Sequence, residues 1–179
     1  EAAVGEAVGP LDAVVLALSH RTGELDELER LDALLTARKL TPAARAASQA
    51  CGRRLAALAG ELTLDRVVTR LAARVRSGDT DGNLAVVEGA LARGLGIPLR
   101  DAVLVELRGA SAGLLSAAIR LGRLTPMRAQ ALLCELAPAL ERAAGQALAL
   151  GPDDLRSGAF ELEVHAMAHR RAEARLFST

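Results

Sequence analysis

The chain has 179 residues, 22 basic and 22 acidic, and is 51% hydrophobic with only 1% aromatic side chains. That length suits one domain with a single core. The charge balance excludes the long-range attraction for nucleic acid or anionic membrane that a strongly basic chain has.

Taken in chain order, apolar residues at helical spacing predict helices over residues 10–24 and 25–39, the second carried by Leu25, Leu28, Leu31, Leu34 and Leu35. Thr41-Pro42, Ile97-Pro98 and Thr125-Pro126 each put a proline at the start of an apolar stretch, the pattern of a capped helix start. Helices are accordingly expected at 42–60, 98–121 and 126–149, with others at 63–77, 83–95 and 153–175. The 63–77 helix rests on Leu64, Val67, Val68, Leu71 and Val75. Gly60, Gly78, Gly96, Gly122 and Gly151 mark helix ends. No segment alternates with period two, so the fold class is all-α, a single-domain bundle of seven or eight helices around a buried central helix. The stretch Leu99–Leu121 is apolar or small on nearly every side and is expected to be that central helix. Cys51 and Cys134 lie far apart in Ala/Leu-rich patterns, which predicts two buried free thiols. No apolar run reaches the length of a membrane span, and no leader pattern precedes the first helix, so a soluble chain is expected.

Few motifs carry chemistry. The phosphate-loop, dinucleotide and nucleophile-elbow patterns are missing, and three histidines supply little acid–base capacity, so binding is favoured over catalysis. "SGDTDGNLAVVE" places Ser77, Asp79, Asp81, Gly82, Leu84 and Glu88 at most of the spacing of a calcium loop, but a serine stands where the first carboxylate belongs. That loop offers an alternative function, a small calcium- or metal-responsive helical regulator. The bland reading is a polar turn with Asp81 or Asn83 capping the next helix. Glu161, His165 and His169 share one face of the last helix and are weak metal candidates, since ligands from a single helix leave a transition metal under-coordinated.

The ending "HRRAEARLFST" resembles that of the urease accessory protein UreF family, with Arg175, Leu176, Phe177 and Ser178 in its closing motif. "ASQACGRRLAAL" is similar to a family helix with a Gly-Arg step, here Ser48, Gly52 and Arg53. "IPLRDAVLVELRGASAGLLSAAIRLGRLTPMRAQALLCELAPAL" resembles its long helix, turn and following helix, with Arg120 in the turn and Gln130 beyond it. The chain departs from the family at Glu106, where an aromatic is common, and at Thr125-Pro126, where Gly-Gln is common. The N-terminal histidine-containing motif is missing, Glu1 resembling its last residue, and the region 10–40 is short.

The resemblance implies one UreF-like domain over 1–179, with residues 170–179 as a partner-docking tail. It implies a cytoplasmic, non-catalytic homodimer that bridges UreD (also called UreH) and the GTPase UreG for nickel insertion into apo-urease. No cofactor is expected to be bound stably, nickel being handled by the complex, and neither nucleic acid nor membrane is expected as partner. The resemblance assigns partner contacts to Arg175, Leu176, Phe177 and Ser178, and more weakly to Arg120, Gln130, Ser48, Gly52 and Arg53. An Arg-Leu-Phe end buries too little alone to offset an ordering cost of ~1–2 kcal/mol per residue, but on a partner the aromatic becomes an anchor.

Overall fold

A computed structural model describes residues 3–156 and Val164. Eight α-helices and no strand occur among the described residues. A π-helical segment, Ala3–Ala13, runs into α1 (Val14–Arg21), followed by α2 (Leu25–Arg38), α3 (Pro42–Leu62), α4 (Arg66–Ser77) and α5 (Leu84–Gly94). Then come α6 (Leu99–Arg120), α7 (Pro126–Glu135), α8 (Ala137–Ala149) and a short 3-10 turn, Pro152–Asp154.

Cap chemistry explains most of these boundaries. The Thr41 and Thr125 hydroxyls accept from the amides of Ala44 and Arg128, and a proline follows each, so two of the three expected starts are built as anticipated. At the third, Pro98 itself takes the cap position and no side chain caps the helix. Asp65 caps α4 by accepting from Val67 N and Val68 N, which moves the start from 63 to 66 and leaves Leu64 outside the helix, 92% exposed. Gly78, Gly96 and Gly122 close helices with φ of 83°, 71° and 66°. Gly60, by contrast, lies within α3, and Gly151 is extended with φ −113°. The expected helix 126–149 is two helices, since Pro138 lacks an amide hydrogen and the chain breaks at Leu136. The expected start of a helix at 153 is instead the 3-10 turn; beyond Arg156 only Val164, which is helical, is described, and the rest of the expected 153–175 helix falls outside the described residues.

The central helix is α1, not α6. Val14, Val15, Leu16, Ala17 and Ser19 are all fully buried, and α1 packs on α2, α5, α6 and α8. Its approach to α5 requires Gly89, where a Cβ would stand 2.5 Å from the Leu16 carbonyl oxygen. The α2 leucines 28, 31 and 35 and the α4 residues Val68, Leu71 and Val75 face the same core. In α6 only Ala102, Val103, Leu107 and Ser111 are buried. Contrary to expectation, that helix is long and apolar enough, by length and composition alone, to match a membrane span, because Glu106 and Arg108 do not lower its mean hydropathy enough. Its first half packs in the bundle, while Val105, Leu114 and Leu121 are about half exposed or more. Both cysteines are exposed, correcting the expectation of buried thiols. Cys51 precedes inward-facing Gly52 and Cys134 follows buried Leu133, so the 100° helical step turns each outward.

Candidate functional site

Three places gather the side chains of interest: a clasp between α2, α3 and the 78–83 loop, a carboxyl pair between α5 and α6, and an exposed apolar surface on α6 and α7.

The clasp is built on Asp32. This buried carboxylate accepts from Gly82 N at 2.8 Å, Asn83 N at 2.8 Å, Asn83 Nδ2 at 2.8 Å and the Thr80 hydroxyl at 2.6 Å. Asn83 stands at the cap position of α5 without a side-chain cap bond; its amide donates to Asp32 and to Thr36 Oγ1 instead. Thr36 in turn donates to Asp81 Oδ2 at 2.6 Å. Across the loop, Ser48 Oγ accepts from Leu84 N at 3.3 Å and Arg53 Nε donates to the Asp81 carbonyl at 3.1 Å. Gly52 lies between them, where a Cβ would come within 2.1 Å of the Gly82 carbonyl oxygen. Ser48, Gly52 and Arg53 are therefore brought together, and each holds the loop against α3. Asp32 escaped the sequence reading because an acid inside an amphipathic stripe looks like an edge residue.

The same geometry corrects the calcium-loop alternative. Asp79 accepts from the Ser77 hydroxyl at 2.6 Å and pairs with Arg74, Asp81 turns to Thr36, and Glu88 lies on α5 facing Glu106. The three carboxylates address three different partners. Among the described residues no three His, Cys, Asp or Glu side chains are gathered as metal ligands. Glu161, His165 and His169 lie outside the described residues.

The carboxyls of Glu88 on α5 and Glu106 on α6 lie close enough to influence each other. Two carboxyl groups this close need a proton between them, since both cannot ionise at that range. Burial raises the Glu88 carboxyl. Burial first, then the charges of Glu88 and Asp12, push Glu106 up to about 8, against a smaller lowering by Lys39. Lys39, the only lysine, is itself nearly buried and held by Asp12 at 2.7 Å. Glu88 also borders an apolar cavity of about 340 Å³ lined by Leu55, Leu91, Leu95, Ile97 and Val105.

Arg120 ends α6 at the surface and Gln130 is exposed on α7. Leu121, next to Arg120, is 47% exposed, and Met127, three residues before Gln130 on α7, is 81% exposed. Arg175, Leu176, Phe177 and Ser178 lie outside the described residues.

The family model for UreF matches residues 1–137. Among curated relatives, the urease accessory protein UreF of Paracoccus denitrificans is 32% identical over 173 residues, covering 94% of this chain and 72% of the relative. The urease accessory protein UreF of Trichodesmium erythraeum is 28% identical over 174 residues, covering 96% and 75%. That of an Arthrobacter species is 32% identical over 147 residues, covering 82% and 65%. With an all-α bundle, a match over most of its length and relatives of one description, the chain belongs to the UreF family of urease accessory proteins.

Proposed function

We propose that this protein is a non-catalytic, cytoplasmic scaffold that joins UreD to the GTPase UreG so that nickel reaches apo-urease, with the metal handled by the assembled complex and no cofactor held stably by this chain. The observation that carries the reading is its alignment with proteins named urease accessory protein UreF over 72% and 75% of their length. The surface supports it. Leu114, Leu121 and Met127 expose apolar side chains at the end of α6 and the turn into α7, as surfaces that meet another protein do. A homodimer is the arrangement we assign to this protein, with Arg120, Gln130, Ser48, Gly52 and Arg53 as weaker candidates for partner contacts.

The tail Arg175-Leu176-Phe177-Ser178 is the proposed anchor for UreD or UreG, the phenylalanine filling a pocket and the arginine fixing register. Co-expression with UreD and UreG followed by size-exclusion chromatography tests the assignment. The full chain should co-elute with both, and a chain ending at Ala174 should keep its helical circular dichroism and lose them. Full-yield co-purification of both partners by the truncated chain sinks the anchor.

A further inference from the structure

The charge of this neutral chain is unevenly placed. Residues 42–77, the α3–α4 hairpin, hold seven of the 22 basic residues and two of the 22 acidic ones. Three of those arginines are engaged within the fold: Arg45 donates to the Lys39 carbonyl, Arg53 to the Asp81 carbonyl, and Arg74 pairs with Glu29 and Asp79. Arg54, Arg66 and Arg70 are exposed, and among the described residues no carboxylate lies within ion-pair distance of them.

Their placement adds apolar surface to the charge. Arg54, Leu58 and Leu62 follow one another at four-residue steps along α3, on the side away from buried Gly52, Ala56 and Ala59. Leu58 is 52% and Leu62 51% exposed, and Leu64 stands almost wholly in solvent at the turn into α4. Arg66 and Arg70 continue along α4, away from buried Val68, Leu71 and Val75. Glu61 is the one acid on the α3 side, and Arg70 also borders the α2 groove lined by Asp26 and Glu29. Leucine flanked by arginine, with lysine absent, is the composition of an interface centre rather than of an ordinary solvated face. The chain has two phenylalanines and no tyrosine or tryptophan, so this face offers no stacking platform for bases.

We propose that the outer face of the α3–α4 hairpin docks an acidic amphipathic helix of a partner protein, its apolar stripe on Leu58, Leu62 and Leu64 and its carboxylates paired with Arg54, Arg66 and Arg70. Two packed helices present a groove that accepts a third, and guanidinium forks match carboxylates bidentately. The identity of that partner as UreD or UreG rests on the function proposed above.

The test uses the full chain, co-expressed with UreD and UreG, and its R54E/R66E/R70E variant. The variant should melt within a few degrees of the parent and lose one of the two partners by at least tenfold in co-eluting yield, and the parent complex should weaken between 50 and 500 mM salt. Should the triple reversal not fold, R66A decides in its place, with a smaller loss of the same partner expected. Capture of both partners at parental yield by a folded variant overturns the inference alone. Capture of neither by the parent overturns the bridging function and this inference together. A variant that changes only the dimer assigns the face to a second copy, and one that changes only sedimentation with phosphatidylserine vesicles assigns it to a membrane; either result overturns the proposal.

Discussion

Asp32 shows how one carboxylate fixes a loop. Four donors converge on it in a buried site, so removing it strands two backbone amides, an asparagine amide and a hydroxyl together. Asp32→Ala should cost about 3–5 kcal/mol in urea denaturation, in the range for breaking a buried charged network, and Asp32→Asn distinctly less. Glu106 sets a different dependence. Its carboxyl stays protonated in the fold up to about 8, whereas the unfolded chain ionises near 4.5. Between those values the folded state holds more protons, so stability is full below pH ~4.5 and falls as pH rises toward ~8, by up to ~1.4 kcal/mol per pH unit for one proton. Glu106→Gln should flatten the fall in urea midpoints measured from pH 5 to 9; an unchanged slope would show that another group carries it. Residue roles of this kind were poorly legible in the sequence. The Gly-Arg step at Gly52-Arg53 stood out by resemblance, but only the packing shows that it clamps a loop, and the thiols were misplaced because an Ala/Leu-rich context hides which way a helix faces.

At the scale of elements, glycines in α3 and α6 predict opposite signs. Gly52→Ala drives a Cβ into the 82–84 backbone, so α3 must shift, and a loss of about 1–3 kcal/mol is expected by thermal or urea unfolding. Gly109 and Gly113 of α6 meet open space, so alanine at either should raise stability by about 0.5–1 kcal/mol through helix propensity. Helix starts were the most legible feature, because Thr-Pro writes the cap and the first turn in adjacent letters. The break at Leu136 was less so, since a proline two residues on reads equally as a tolerated kink. Choosing α6 over α1 as the central helix followed from length. A 22-residue helix with a long apolar stretch outweighed one of eight residues, yet Val14-Val15-Leu16-Ala17 is buried on all sides, whereas the second half of α6 is mostly half-buried alanine with Gly113 and Leu114 exposed.

For the molecule as a whole, the all-α class followed from the lack of any period-two stretch, whereas the polarity of its surface followed from no single motif. Among the described residues, unpaired arginines sit on the α3–α4 hairpin beside exposed leucines, whereas the end of α6 and the start of α7 expose Leu114, Leu121 and Met127, so partner capture should divide into a salt-sensitive and a more salt-tolerant part. Stepwise salt washes of the co-expressed complex would read that division directly. The position of α1 has a further effect during synthesis. The most buried helix is made before α5, α6 and α8, so on the ribosome its valines and leucine lack most of their native cover until α5 has emerged and are fully covered only once residues as far as 149 have. The nascent chain thus carries its stickiest segment uncovered longest, and its yield in the cell should respond to chaperone supply more steeply than its equilibrium stability alone would suggest.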